Sequence, residues 1–159
     1  MPAFSSRLKN KVVKAAGSSF WIKKTITSSA ITTSAQALSS AATGQLAIAQ
    51  IIVKTDATGL AGGTNFTILS SNAKGVVNIA VETVANLGAN ATKVLAGLVP
   101  AADTTTSDGA FSVTAVPTVL EGGKAIQFLN TAAAGTGAGT IDVFIKFERI
   151  DENASCVAV

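Results

Sequence analysis

The 159-residue sequence contains no histidine and no tyrosine, and Cys156 is its only cysteine. Without histidine, a single chain cannot form a histidine-based catalytic triad, a cysteine–histidine pair or a histidine metal site. One cysteine also excludes an intrachain disulfide. A general base would have to be a lysine or one of nine carboxylates, and no two carboxylates have a spacing typical of a catalytic pair. We therefore expect a protein that is not an enzyme and needs no cofactor or metal.

Charged residues are also scarce. They make up 13% of the chain, whereas hydrophobic residues make up 48% and come mainly from alanine, valine and isoleucine. A surface with so little charge is unusual for a freely soluble monomer, because mixed charges keep monomers apart. The composition therefore predicts a subunit whose surface is largely covered by neighbouring subunits.

Long apolar segments are absent as well. No stretch approaches the roughly 18 apolar residues that a membrane span requires. Lys11 and Lys14 interrupt the region in which a secretory signal peptide would have its apolar core. We expect a protein that is made in the cytosol, does not use a membrane as a partner, and leaves the cell, if at all, by a route such as lysis.

Basic charge is concentrated at the N-terminus. Half of the twelve lysine and arginine residues lie in the first 24 positions, where there is no acidic residue. The rest of the chain has six basic and nine acidic side chains. This asymmetry predicts a basic arm over residues 1–24 attached to a mildly acidic body over residues 25–159. The candidate contact residues of the arm are its basic side chains and its hydrophobic stretch: Arg7, Lys9, Lys11, Lys14, Phe20, Trp21, Ile22, Lys23 and Lys24.

Apolar residues at near-helical spacing, such as Phe4, Leu8 and Val12, predict a short amphipathic helix in this arm before Gly17. Such an arm can pack on its own body or on a sister subunit, or bind an acidic protein surface, nucleic acid or a membrane. Its six positive charges are fewer than a coat protein usually carries to line its genome, and few aromatic residues are available to stack on bases. We therefore expect protein partners rather than nucleic acid.

The strongest pattern in the body lies near its C-terminal end. Polar residues alternate with Ile141, Val143, Ile145 and Phe147, which predicts a strand with one apolar face. A shorter apolar stretch over 124–130 precedes it, and the intervening 131–139 is too rich in glycine to form a helix. We interpret these two strands as a hairpin.

Further strands are predicted over 45–55, 65–70, 76–84 and 111–116, with turns between them. With a short apolar segment over 93–99 and a weakly patterned segment over 24–40 that is either an edge strand or a linker, the count is about eight short strands. They favour an all-β fold, an antiparallel β-sandwich of jelly-roll or Greek-key type, with residues 25–159 as one domain. A weak internal repeat relates two glycine-rich loops. Thr55, Ala57, Gly59, Gly63 and Thr64 have counterparts at Thr131, Ala133, Gly135, Gly139 and Thr140, which either chance or two similar hairpins would explain.

Three features invite a functional interpretation that the chemistry does not favour. The glycines of 131–139 are not a phosphate-binding loop, because such a loop leads into a helix and this one leads into an apolar strand. The polar loop 103–108 offers oxygen atoms for calcium, but it matches no EF-hand and is accounted for by Asx turns. Cys156 has no neighbouring base in the sequence to activate its thiol.

The ending GTGAGTIDVFIKFERID, together with a small β-rich body of Ala, Thr, Gly and Val, resembles the accessory virion proteins of tailed bacteriophages, especially capsid decoration or cement proteins. The resemblance implies a β-sandwich, often trimeric, seated on the outer capsid lattice where major capsid proteins meet. It also implies assembly in the host cytoplasm, location in the virion, and no catalytic residues.

On this resemblance the arm would hold neighbouring subunits, with Phe20, Trp21 and Ile22 as its anchor, because aromatic residues often dominate binding energy at interfaces. Two other classes remain open. The chain could be the main coat, tail, fibre or filament subunit of another assembly. It could also be a carbohydrate- or host-binding module, although its loops lack aromatic residues.

Overall fold

The computed structural model describes residues 16–72, 75–96, 108–110 and 119–159. This part of the chain forms ten strands and two short 3-10 helices, Ser28–Ala30 and Val84–Leu87, and contains no α-helix. The strands are β1 (Ser19–Thr27), β2 (Gln36–Ala37), β3 (Leu46–Thr55), β4 (Asn65–Asn72), β5 (Gly75–Thr83), β6 (Thr92–Ala96), β7 (Asp108–Ala110), β8 (Val119–Leu120), β9 (Ile126–Asn130) and β10 (Thr140–Arg149).

The strands form two sheets. The first has the order β1-β10-β3-β6-β7, with β8 also paired to β3, and the second has the order β2-β9-β4-β5. Neighbouring strands are antiparallel, except that β6 and β7 are parallel. Strand β1 pairs with β10 along all nine of its residues and forms one edge of the first sheet.

The core lies between the two sheets. From the first sheet, Ile145 and Phe147 of β10 point inward, and from the second Phe66, Ile68 and Phe128 meet them in one buried cluster. Full burial of such a side chain contributes about 1.5–3 kcal/mol, so the alternating apolar residues are what hold the sheets together. The prediction of an all-β antiparallel sandwich is confirmed, whereas its jelly-roll or Greek-key subtype stays a prediction.

The predicted pairing of the last two long strands is wrong. Strand β9 lies in the second sheet, between β2 and β4, whereas β10 lies in the first, between β1 and β3. Both strands direct apolar residues into the same core, but they do so from opposite sides, and the loop 131–139 crosses from one sheet to the other. The predicted strands over 65–70 and 76–84 correspond to β4 and β5, which form a hairpin in the second sheet.

Strand β1 runs across the boundary at residue 24 that separated the predicted arm from the body. The inward-facing apolar residues of β1 are Phe20, Ile22 and Ile26. They are separated by two and four residues, which is the periodicity of a strand. The first 15 residues, with the predicted helix and Arg7, Lys9, Lys11 and Lys14, lie outside the described residues, as do most of the loop 103–108 and the predicted strand 111–116.

The two glycine-rich loops of the internal repeat lie against each other at one end of the sandwich. Thr136 N–H donates to the Ala61 carbonyl at 2.7 Å, and Ser28 N–H donates to the Gly139 carbonyl at 2.7 Å. The Ser28 hydroxyl also bonds both the N–H and the carbonyl of Ala61 at 3.0 Å. The repeat therefore corresponds to two loops that pack together and close this end of the core.

Candidate interaction surface

The outer face of the first sheet carries a group of apolar side chains in contact with solvent, which we call the outer patch: exposed Trp21 of β1 and half-buried Phe144 of β10 and Ile52 of β3. Phe144 lies directly opposite Ile52 in the β10–β3 pair, and Trp21 of β1 lies diagonally across from it, two residues from the position opposite Phe144. The Trp21 side chain is 48% exposed. With Lys54, these three residues line a shallow cavity of about 240 Å³.

The outer patch arises because three strands each place one large apolar residue among their outward-facing positions. Phe144 is in phase with Asp142 and Lys146, and therefore does not point into the core. In β1, Trp21 is likewise in phase with exposed Lys23. Exposed apolar groups with a polar rim are typical of protein-interaction sites.

Lysines surround the outer patch. Lys23 Nζ lies 5.2 Å from the centre of the Phe144 ring and 2.8 Å from Asp142 Oδ2. Lys146 is opposite Trp21 in the β1–β10 pair, and Lys54 borders the cavity. A cation over an exposed aromatic ring contributes about 0.5–1 kcal/mol, so Lys23 is held close to the patch without being removed from water.

Asp142 fixes the position of Lys23. Partial desolvation raises the pKa of the Asp142 carboxyl, but hydrogen bonds from Lys23 and Thr25 together with the Lys23 charge outweigh it, and the net shift is downward. The carboxylate is therefore ionised at neutral pH and orients the Lys23 ammonium toward Phe144. The rim of the outer patch is thus partly preorganised.

A second concavity, which we call the edge groove, lies between β1 and the C-terminal segment. Its volume is about 360 Å³, and its walls include residues 20–22 of β1 and residues 155–158. The segment is anchored on its other side, where Ser40 N–H donates to the Val157 carbonyl at 2.7 Å and Thr43 N–H to the Ser155 carbonyl at 2.9 Å.

Arg149 closes one end of the edge groove. Its guanidinium lies 4.3 Å from the centre of the Phe20 ring and donates to Ser18 Oγ and to the Ala154 carbonyl, both at 2.9 Å. These contacts join the start of β1 to the segment after β10. The groove is therefore bordered by a fixed strand on one side and a hydrogen-bonded segment on the other.

The structure separates the predicted contact residues that it describes into two groups. Trp21 and Lys23 face outward and belong to the outer patch and its rim. Phe20 stacks on buried Phe147 with ring centres 5.5 Å apart, and Ile22 is buried in the core. Lys24 turns to the other side of the strand, where its ammonium donates to the Ala37 carbonyl at 3.2 Å and to the Val159 carbonyl.

Sequence reasoning missed Ile52, Lys54, Phe144 and Lys146 as surface partners of Trp21. The available signal was the position of Phe144 on the polar side of an otherwise regular alternation. No local pattern, however, indicates that β1, β10 and β3 are neighbours in that order.

Cys156 does not provide a reactive thiol. Burial raises the pKa of this thiol to about 11, although a hydrogen bond with Ser39 acts in the opposite direction. The thiol is thus protonated and a poor nucleophile at neutral pH. Among the described residues, no group of three or more acidic or cysteine side chains is placed to hold a metal ion. In the same part of the chain, no helix has the length and apolarity needed to cross a membrane.

No protein-family model and no curated protein matches the chain. Among solved structures, a chain from the structure of infectious bursal disease virus Gx strain aligns with 91% of this chain and 37% of its own length, at 13% identity and a TM-score of 0.24. A chain from the Gt strain aligns with 89% of this chain and 38% of its own, at 14% identity and a TM-score of 0.17. This chain thus spans less than two fifths of either. TM-scores this low identify neither a shared fold nor a shared function.

Proposed function

We propose that this chain is a non-catalytic structural protein of a virion, a decoration or cement subunit that binds and stabilises a phage capsid shell through protein–protein contacts. The observation that carries the proposal is the outer patch, where exposed Trp21 lies beside half-buried Phe144 and Ile52 on a sheet face bordered by lysines. The resemblance of the sequence to phage accessory virion proteins supplies the class of partner, namely the major capsid protein or another virion subunit.

The geometry suits binding to a preformed surface. The backbone of a paired strand is already ordered and loses little conformational freedom on association, so more of the contact energy appears as affinity. Trp21 is the natural anchor, because tryptophan is enriched among residues that dominate interface energies. The lysine rim would orient the subunit against acidic groups of the partner.

Stabilisation of the shell would follow from mass action. A subunit that binds only the mature shell stabilises that state by about 2.7 kcal/mol per site when its free concentration is 100 times the dissociation constant. Repetition over a symmetric lattice multiplies the effect, and a trimeric subunit would add avidity by engaging several sites together. The main coat, tail, fibre or filament subunit of an assembly is the alternative role, because such subunits also bury apolar sheet faces against neighbours.

The test is co-sedimentation of the purified chain with DNA-free shells from its source. Trp21→Ala should reduce shell affinity about tenfold or more, as expected for an interface anchor. Ile150→Ala is the matched control, because Ile150 is another exposed large apolar side chain, 42% exposed, that does not belong to the outer patch. Its affinity should equal that of the unchanged chain.

The alternatives give different results in this experiment and in a parallel run with added nucleic acid. Closed shells or filaments formed by this chain alone would make it the principal building block instead. Association with nucleic acid that weakens steeply with salt would indicate genome binding, since phosphate contacts release counterions. Equal loss of binding in the Trp21 and Ile150 variants, or no co-sedimentation at all, would overturn the proposal.

A further inference from the structure

Strand β1 has an open edge in the described part of the molecule. It pairs with β10 over nine residues, and the order of the first sheet places no other described strand beside it. Edge strands are usually short or covered, because unpaired backbone groups can recruit another strand. A nine-residue edge strand is long enough to accept one.

Two hydrogen bonds at the ends of β1 show which backbone groups face the open edge. Arg149 N–H donates to the Ser18 carbonyl at 2.9 Å, and Ser28 N–H donates to the Gly139 carbonyl at 2.7 Å. The register between these two points is continuous, so the even-numbered residues of β1 bond to β10. The backbone N–H and carbonyl groups of the odd-numbered Trp21, Lys23 and Thr25 therefore point outward, where no described residue bonds to them.

The edge groove lies beside these outward-facing backbone groups of β1. Its opposite wall, residues 155–158, also presents backbone N–H and carbonyl groups. The carbonyls of Ser155 and Val157 accept hydrogen bonds from Thr43 and Ser40, on the side away from β1. The backbone groups of Cys156 and Ala158, which alternate with them, consequently face the groove. An extended chain in the groove would meet backbone donors and acceptors along β1 and apolar side chains beneath it.

We propose that the open edge of β1 is a strand-addition site that takes an extended segment of a partner protein, with an acidic side chain of that segment beside Lys23. Main-chain hydrogen bonds would give the affinity, and the alternating side chains of the added strand would give the specificity. The site shares Trp21 and the rim residue Lys23 with the outer patch, and the proposal does not depend on a capsid shell being the partner.

The charges along the edge favour an acidic segment. Lys23 is the only charged residue among the outward-facing side chains of β1, and half of its side chain is exposed even with Asp142 beside it. The other charged groups near this face are Lys146 opposite Trp21 and Glu148 opposite Ser19. Opposite charges on directly facing positions of paired strands contribute about 0.2–1 kcal/mol.

A second copy of the chain is a poorer occupant. Two β1 strands that paired antiparallel over their full length would place Lys23 directly opposite Lys23 of the other copy. Like charges in that position are destabilising, and lysines on edge strands are a common protection against self-association. We therefore assign the edge to a different protein.

The experiment uses the full chain and a synthetic probe, the peptide TATVEVTAT with blocked ends. Its sequence is the same in both directions, so its glutamate can lie beside Lys23 whichever way the peptide binds. Trp21 is the only tryptophan, so its fluorescence reports on the edge directly. We expect a saturable fluorescence change with this peptide and at least threefold weaker binding when its glutamate is replaced by lysine.

Backbone pairing is tested by two N-methylated forms of the peptide, one methylated at three odd-numbered amides and the other at three even-numbered amides. Only one set of amides can face β1, so one form should lose about tenfold or more in affinity while the other keeps it. Equal loss or equal retention would overturn strand addition, because binding through side chains alone does not distinguish the two sets.

Two variants of the protein test backbone pairing by changing β1 instead of the peptide. Thr25→Pro removes an N–H group that faces the open edge, and proline is tolerated on edge strands at such positions. Thr25→Val keeps the N–H and removes only the hydroxyl that bonds Asp142. The proline variant should bind the peptide several-fold more weakly than the valine variant, with both retaining the far-ultraviolet spectrum of the sheet.

Two further outcomes would overturn the proposal. No binding of the unmethylated peptide would mean that the lysines of β1 only protect the edge from other strands. Concentration-dependent dimers that Thr25→Pro dissociates would assign the edge to a second copy of the chain.

Discussion

Single glycines decide whether the two loops at the closed end of the sandwich can meet. A Cβ atom placed on Gly139 would lie 1.8 Å from the Gly59 carbonyl oxygen, which no real side chain can do. The contact is between two backbones, so no flexible side chain can move aside to accommodate it. Gly139 is required here for space, and its backbone is not in the left-handed region.

We predict that Gly139→Ala destabilises the protein by about 3 kcal/mol, because inserting a methyl group into close-packed structure typically costs 1–3 kcal/mol and here the obstacle is rigid. Urea denaturation measures the change. Gly122→Ala is the control, since a Cβ at Gly122 would be 3.6 Å from its nearest neighbour and in ordinary contact. Equal stabilities of the two variants would contradict the packing of the loops.

At the scale of strands, the Asp56 carboxylate joins the end of β3 to the start of β10. Its Oδ1 accepts from Gly59 N–H at 2.8 Å and from Thr58 N–H at 2.9 Å. Its Oδ2 accepts from the N–H of Thr140 at 2.9 Å and from the hydroxyl of Thr140 at 3.0 Å. Four donors thus converge on one side chain and fix both the turn after β3 and the first residue of β10.

The hydrogen bonds to Asp56, that from Gly59 above all, lower the pKa of its carboxyl below the ordinary value of 3.8. The folded protein therefore binds this proton less readily than the unfolded chain does, and the stability contributed by Asp56 is complete above pH 3.8 and is lost as the pH falls through the lower folded value. We predict that Asp56→Asn lowers the melting temperature at pH 7 and flattens its decline between pH 4 and pH 2. Thermal unfolding at several pH values tests this, and parallel curves for both proteins would contradict it.

The sequence allowed most strands to be predicted, but not how they pair. The alternation in β10 and the apolar character of β3 can be read from residues that are adjacent in the sequence. Both strands occur close to their predicted positions. Which strands pair depends on how the two sheets meet across the core. Alternating apolar residues in two successive strands are equally consistent with a hairpin in one sheet and with two strands in opposed sheets. This is why β9 and β10 were paired incorrectly.

The candidate surface was predictable only in part, for a related reason. Trp21 and Lys23 were predicted contact residues, because they are an aromatic and a basic residue within one segment. Ile52 and Phe144 join them only through the pairing of β1 with β10 and of β10 with β3, which brings together strands that are distant in the sequence. The same distance hid the edge of β1, because whether any described strand lies beside it depends on the order of the whole sheet.

At the scale of the whole molecule, a buried ion pair connects the two sheets. Lys93 of β6 in the first sheet lies with its Nζ 3.7 Å from Oε2 of Glu82 of β5 in the second, and both side chains are fully buried. Oε1 of Glu82 also accepts from Thr83 N–H at 2.8 Å and from the Asn86 amide at 2.9 Å. Buried charges are tolerated when they are paired in this way, and we infer that the pair helps to specify how the sheets face each other.

We predict that Lys93→Met destabilises the protein by about 3–5 kcal/mol, because it removes the ammonium group that pairs with the buried Glu82 carboxylate. The double variant Glu82→Gln with Lys93→Met should recover a large part of this loss. The glutamine is neutral and keeps an oxygen for Thr83 and Asn86, so no uncompensated charge remains in the core. A double-mutant cycle from denaturant unfolding measures the coupling between the two sites. If the double variant were as unstable as the sum of the two single variants, the pair would not act as a unit, and the apolar residues of the core alone would determine how the two sheets are held.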